Sequence, residues 1–495
     1  MAFNSFHFLA FFPVVLALYF ALPHRYRWVL LFVASCYFYM AWRPEFILLL
    51  LGETLVAYQG AVMIERAPVA RRKPILLTCL ALLLGVLFVF KYFNFFNESL
   101  RDWLGVMGIG YDVPAVDLLL PLGISFFTFQ KIAYLVDVYH GKIAAERHLG
   151  IFSVFATFFP QLVAGPIERA ANLLPQFRQE ARFDYHRICD GLRLMAWGFF
   201  KKVVVADRLA PFVNAVYADP RQHDGPTLAA ATVMFAFQVY CDFSAYSDIA
   251  IGAARTMGIN LSANFRQPYF AMSIGEFWKR WHITLSTWLT DYVYTPLTRS
   301  RALPLPWYPK FLAALLLTFL VSGLWHGADW TFVAWGALHG AYLICSMLTQ
   351  KVRKRAVVAL GMDRHPALHG ALKIAMTFAL VCFTYVFFRA ESISDALYIA
   401  SHLGTGYSGL LAQPDTLHAL REAFVVGGTV PEFVMAAMGV TVVLCVDAFV
   451  RFRGTFDVSL SPAWVRWPAY YLLVLCVISL GAFYDDAHTF IYFQF

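Results

Sequence analysis

Runs of apolar residues long enough to cross a bilayer recur from one end of this chain to the other, and they restrict its fold more than any other feature. A helix spanning a hydrocarbon core of about 30 Å needs about 20 mostly apolar residues. Residues 8–22, 28–42, 46–64, 75–90, 118–138, 188–217, 228–252, 373–388, 433–450 and 467–484 read as spans, and 311–348 as a hairpin of two more. Helices satisfy every backbone group within one segment, which lipid requires. The expected fold class is therefore an all-α polytopic membrane protein with about 11–12 transmembrane helices.

Composition agrees. Of 495 residues, 60% are hydrophobic and 14% charged, against about 25% charged in soluble domains. The net charge of +8 is not a nucleic-acid signal, because the basic residues cluster in loops as the positive-inside bias requires. The loop 65–74, with Arg66, Arg71, Arg72 and Lys73, and the stretch 351–355 are predicted to be cytoplasmic. Counting crossings from them puts Met1 and residues 485–495 outside. Residues 1–22 lack a basic leader and read as a first span, not a cleaved signal. The eight cysteines form no CxxC pair and read as small buried hydrophobes, not disulfides or metal ligands. One domain is expected, with N-terminal spans over 1–116, a core over 117–350 and C-terminal spans over 351–495.

Several polar groups stand inside these apolar runs, where an ionisable residue reads as functional by default. The stretch Ser322-Gly323-Leu324-Trp325-His326-Gly327-Ala328-Asp329-Trp330 sits at the hinge of the hairpin. His326 there is either a working imidazole or a wet residue at an interfacial turn anchored by Trp325 and Trp330. Gln130, Lys131 and Asp137 lie in the 118–138 run and call for paired or pore-facing positions. Residues 159–166, with Gln161 between two prolines, read as a re-entrant segment, tolerated only in protein or around a wet cavity. Asp242 and Asp248 share one span and either join a buried network or line a passage. Residues 274–288 place Phe277, Trp278, Trp281, Leu285 and Trp288 at helical spacing beside Lys279, Arg280 and His282. That pattern predicts an amphipathic helix on the cytoplasmic surface, with His282 snorkelling or functional.

Residues 121–130, 160–166, 240–250, 277–288 and 322–330 together resemble membrane-bound O-acyltransferases, most closely the bacterial alginate-acetylation branch. The ending Phe490-Ile491-Tyr492-Phe493-Gln494-Phe495 and the aromatic boundary 91–96 resemble that branch too. The resemblance covers nearly the whole chain. It implies a helical bundle of that family's type in a bacterial inner membrane, with re-entrant and amphipathic cytoplasmic helices. It maps the family's principal histidine onto His326 and its second active-site polar residue onto His282. It also implies a cytoplasmic thioester donor such as acetyl-CoA, no bound cofactor, an exported polysaccharide acceptor and an extracytoplasmic partner protein. D-alanyl transfer and peptidoglycan acetylation belong to sister branches of the same fold.

Acyl transfer from a thioester to a hydroxyl needs a base near neutral pKa, which histidine supplies. His326 would act as that base or take the acyl group transiently. Arg255, Arg266, Lys279 and Arg280 are candidates to attract the donor's phosphates, although the positive-inside bias explains the same charges. Trp325, Trp281, Asp242, Asp248, Gln130 and Gln161 are candidate supporting residues. No G-x-S-x-G elbow occurs, and the oxyanion donors are not legible. A transporter with broken helices, or a structural subunit that only anchors outer machinery, are the rival classes.

Overall fold

The structure is a computed structural model that describes residues 1–301, 304–408, 426, 429–454, 458–482 and 490–491. All regular elements among these residues are helices. Eight are long and apolar enough to cross a membrane: Pro44–Arg66, Val69–Val106, Gly225–Thr256, Trp307–His326, Trp330–Leu348, Pro366–Arg389, Val430–Arg453 and Ala463–Leu480. Phe6–Ala21 is a shorter apolar helix. The other expected crossings fall on the shorter helices His24–Met40 and Ile124–Tyr139, and on a run from Tyr185 to Ala218 interrupted by a π segment, Phe200–Ala206.

The chain divides into two compact units. One comprises Met1–Met195 and Tyr246–Ala263; the other comprises Ala196–Ala245 and Asn264–Ile491. Helix Gly225–Thr256 runs from one unit into the other.

In the first unit, helices Pro44–Arg66, Val69–Leu87 and Ile124–Tyr139 pack together. Their buried polar groups are paired, as burial demands. Lys131 Nζ lies 3.2 Å from Glu53, which also accepts from Thr128 at 3.1 Å. Asp137 pairs with Lys142 at 3.0 Å. Residues 158–166 are irregular and buried, as expected of a re-entrant stretch. Gly123 has a left-handed φ of +74°, and a Cβ there would stand 2.9 Å from the Leu162 carbonyl and Val163 Cα. Only glycine lets the entry to helix Ile124–Tyr139 lie on that segment.

Two expectations fail here. The aromatic stretch 91–96 does not end the helix, which continues from Val69 to Val106 through a π segment at Phe88–Tyr92. The helix also begins inside the presumed basic loop, with Arg71, Arg72 and Lys73 on its first turns. The chain can do this because an extra residue in a π turn realigns the helix instead of breaking it. The cysteines divide as well. Cys79, Cys241 and Cys382 are buried, but Cys345 and Cys445 face outward from membrane helices, where lipid is as apolar as a core.

In the second unit the hairpin Trp307–His326 and Trp330–Leu348 packs against Pro366–Arg389. Helices Val430–Arg453 and Ala463–Leu480 pack on the π segment Phe200–Ala206. The region 390–431 contains helix Ile393–His402; 409–425 and 427–428 lie outside the described residues, as does most of 485–495.

Candidate active site

His326 is the last residue of helix Trp307–His326 and is 4% exposed. The turn to the next helix is Gly327, Ala328 and Asp329, and Asp329 caps that helix by accepting from the Thr331 amide at 2.7 Å. The two helices cross almost backbone to backbone. A Cβ on Gly323 would meet the Phe332 carbonyl at 2.2 Å, and one on Gly336 the Phe319 carbonyl at 2.3 Å. Small residues at both positions allow that approach, and the approach sets the His326 ring among aromatic rings. Trp325, Trp335 and Phe388 lie at centroid distances of 4.8, 4.9 and 5.1 Å, all edge-on. Trp325 is buried, so it is not an interfacial anchor; Trp330, 55% exposed, fits that role.

His282 is fully buried. Its ring lies 4.6 Å from Phe243 and 5.6 Å from Trp325. Trp325 thus touches both imidazoles and links the two histidines that the sequence singled out.

The expected amphipathic surface helix does not form. Helix Ile274–Trp278 stops, His282 takes a left-handed φ of +43°, and a second helix runs Ile283–Leu289. A buried non-glycine residue in that region is strained by about 1–3 kcal/mol. The cause of the break is a neighbouring stretch, 264–266. The Ile283 amide donates to the Asn264 carbonyl at 3.0 Å, and the Arg266 amide to the Arg280 carbonyl at 2.9 Å. Those bonds replace the pairing a continuous helix would use. The aromatic set is interior, not superficial: Phe277, Trp278, Trp281, Leu285 and Trp288 are all buried.

Asn264 Oδ1 accepts from the Thr284 amide at 3.2 Å and from the Thr284 hydroxyl at 2.9 Å, and lies 3.2 Å from His282 Nδ1. Burial lowers the His282 pKa to about 3, so the ring is neutral at physiological pH.

The remaining sequence candidates have partners of their own. Trp281 stacks on Phe277 at 5.5 Å and meets Phe265 at 5.1 Å. Arg280 bonds Glu276 at 2.9 Å and the Arg266 carbonyl at 2.9 Å. Its charge is engaged in the fold, and Lys279 is exposed. Although burial pushes the Glu276 carboxyl up, the Met272 amide and Arg280 hold it below its ordinary range. Gln130 and Gln161 belong to the first unit and both donate to the Phe155 carbonyl, at 3.0 and 2.9 Å. Asp248 is half-buried in that unit. Asp242 is structural: it pairs with Lys202 at 2.6 Å, Lys202 pairs with Asp207 at 2.8 Å, and Asp242 accepts from the Ile491 amide at 2.7 Å.

Three participants escaped the sequence reading. Trp335 flanks His326. Asn264 carries no local signal, because its partners lie about twenty positions away in the chain. His339 is fully buried, and an imidazole inside an apolar run was a signal that could have flagged it. Its Nδ1 accepts from the Trp278 indole at 3.3 Å, and its Nε2 meets the Thr384 hydroxyl at 3.0 Å. An indole only donates, so the proton sits on Nε2, and the Thr384 hydroxyl in turn donates to the Val381 carbonyl at 2.7 Å.

The fold and site define a multi-pass, all-helical membrane protein with two buried histidines joined through one indole. The membrane-bound O-acyltransferase family model matches residues 146–388, which include both histidines. The chain is 36% identical to the probable alginate O-acetylase of Pseudomonas putida, over 99% of each chain. It is 40% identical to that of Pseudomonas aeruginosa, over 79% of this chain and 72% of the relative. It is 34% identical to the peptidoglycan O-acetyltransferase of Helicobacter pylori, over 74% and 72%. The chain belongs to the membrane-bound O-acyltransferase family and is an O-acyltransferase.

Proposed function

We propose that this acyltransferase moves an acetyl group from a cytoplasmic thioester donor of the acetyl-CoA kind toward hydroxyls of an exported polysaccharide such as alginate. The observation that carries the reading is the burial of His326 and His282 against a shared Trp325, in a chain similar over its whole length to an alginate O-acetylase. His326 takes the proton of the acceptor hydroxyl. The oxygen then attacks the thioester carbonyl, the carbon–sulfur bond breaks, and the thiolate leaves and regains a proton. His282 lies one indole away, in the same aromatic shell, and takes part as the second polar group. The chain works in a bacterial inner membrane with both termini outside. An extracytoplasmic partner protein completes delivery to the glycan.

The test is ester-linked acetate on exported glycans, with the membrane abundance of each variant. Deletion of the protein should remove the acetate. His326→Ala should lower it by about 10²–10⁴-fold. His326→Gln keeps hydrogen bonding but takes no proton near neutrality, so it should be as inactive as Ala. A Gln variant with near-normal acetate at normal abundance removes His326 from the chemistry. Acetate lost from peptidoglycan alone, or D-alanine lost from teichoic acid, would reassign the acceptor.

A further inference from the structure

We propose that Asn264 is a positioning residue for His282: its side-chain oxygen holds the imidazole proton on Nδ1 and turns the lone pair of Nε2 toward the reaction. This rests on the reading that His282 belongs to the transfer site.

The oxygen of Asn264 is identified by its partners. A backbone amide can only donate, and the Thr284 amide points at Oδ1. The atom beside His282 Nδ1 is therefore an acceptor, and Nδ1 must be its donor. A neutral imidazole carries one proton, so Nε2 is the basic nitrogen. The neutral form is secured separately, since burial lowers the His282 pKa to about 3. Three uncharged groups, Phe243, Trp325 and Asn264, meet the ring. Beyond them stand His326, across Trp325, and Asp242, which precedes Phe243 and is held by Lys202.

The arrangement is costly to build, and that argues for a use. His282 is one of two non-glycine residues with positive φ among those described, and it is fully buried. The strand-like pairing of 264–266 with 280–283 over-determines that backbone. Asn264 is 1% exposed and bonds both the ring and the first turn of helix Ile283–Leu289. An orienting partner at one ring nitrogen is what a base needs to act through the other.

Two variants and one spectrum test this, with acetyl transfer from labelled acetyl-CoA measured in membranes. Asn264→Ala should lower kcat by about 10–100-fold and leave the KM for acetyl-CoA unchanged. Asn264→Asp keeps the acceptor oxygen and should restore most activity above neutral pH. Its carboxylate stabilises the imidazolium, so the acidic limb of its pH profile should move upward from that of the wild type. A merely structural Asn264 predicts rescue by Asp with an unmoved limb, and that result overturns the proposal. So does Asn264→Ala with normal kcat at normal abundance. The wild-type protein provides a readout independent of folding. With ¹⁵N-labelled histidine, and the His282 signals assigned by their loss in His282→Ala, Nδ1 should be protonated and Nε2 not. The opposite tautomer refutes the proposal. Should His282→Ala transfer acetate normally, the site reading itself fails, whatever Asn264 does.

Discussion

His326 ends one helix of the hairpin and His339 lies within the other, and their side chains are put to different uses. Both ring nitrogens of His339 are engaged, one by Trp278 and one by Thr384, so its imidazole holds aromatic rings in place. Trp335, 4.8 Å from His339 and 4.9 Å from His326, is one of them. His339→Ala orphans the Trp278 N–H and disturbs the Thr384 hydroxyl, at about 1–3 kcal/mol for each buried group left unpaired. The expected result is reduced membrane abundance and a lower melting temperature in detergent, with Gln restoring more stability than Ala. Loss of transfer in His339→Ala at full abundance and unchanged melting would show instead that His339 serves the chemistry. His282 predicts a pH effect. Its folded pKa, about 3, lies below the ordinary histidine value. Between these values the unfolded chain binds the extra proton, so stability rises with pH there. Acidification from about 6.5 toward 3 should therefore destabilise the wild type more than His282→Phe, as read by thermal unfolding. The histidine at the hairpin turn was legible because an imidazole between two apolar runs stands out. The distinction between a bonded and a reacting histidine was not, since Trp278 and Thr384 come from other segments.

At the scale of elements, period and polarity located the membrane helices, whereas tertiary bonds decided where they break. The hairpin was readable, because the polar stretch 322–330 stands between two apolar runs. The split of 274–299 into short helices was not, because the groups that interrupt it sit on 264–266 and no local pattern carries that information. The continuation of helix Val69–Val106 past Lys91 was hidden for a related reason, since a π turn leaves no sharp residue signature. The hairpin crossing yields a direct test. A Cβ on Gly336 would lie 2.3 Å from the Phe319 carbonyl and 3.3 Å from Gly323 Cα. Both are backbone atoms, so a side chain must push the helices apart. Gly336→Val should lower membrane abundance and transfer together, by displacing the helix end that bears His326. Gly370, where a Cβ would meet only the Met272 methyl at 3.6 Å, should accept alanine with little change. Normal abundance and activity in Gly336→Val would mean that the crossing is looser than this packing requires.

For the whole molecule the question is which way the chain crosses the membrane. The basic loops set the expectation, and one helix gives it a physical check. Val69–Leu87 has 19 residues, or about 28 Å of helix at 1.5 Å per residue, close to the roughly 30 Å of the hydrocarbon core. Arg71, Arg72 and Lys73 occupy its first turns, while Asp102 stands on the continuation beyond the π segment. If the basic end is inside, Asp102 is outside. The helix Gln350–Ala359, exposed throughout most of its length and carrying Lys351, Arg353, Lys354 and Arg355, should share the inner side with Arg71. The experiment replaces the eight native cysteines first, because Cys345 and Cys445 are exposed on their helices. Single cysteines at Arg71, Asp102 and Lys354 are then treated with an impermeant thiol reagent on intact cells. Asp102→Cys should label from outside, whereas Arg71→Cys and Lys354→Cys should label only after the membrane is opened. The three positions constrain one another: labelling of Arg71→Cys in intact cells, with Asp102→Cys protected, would invert the molecule and place the thioester donor on the wrong side of the proposed reaction.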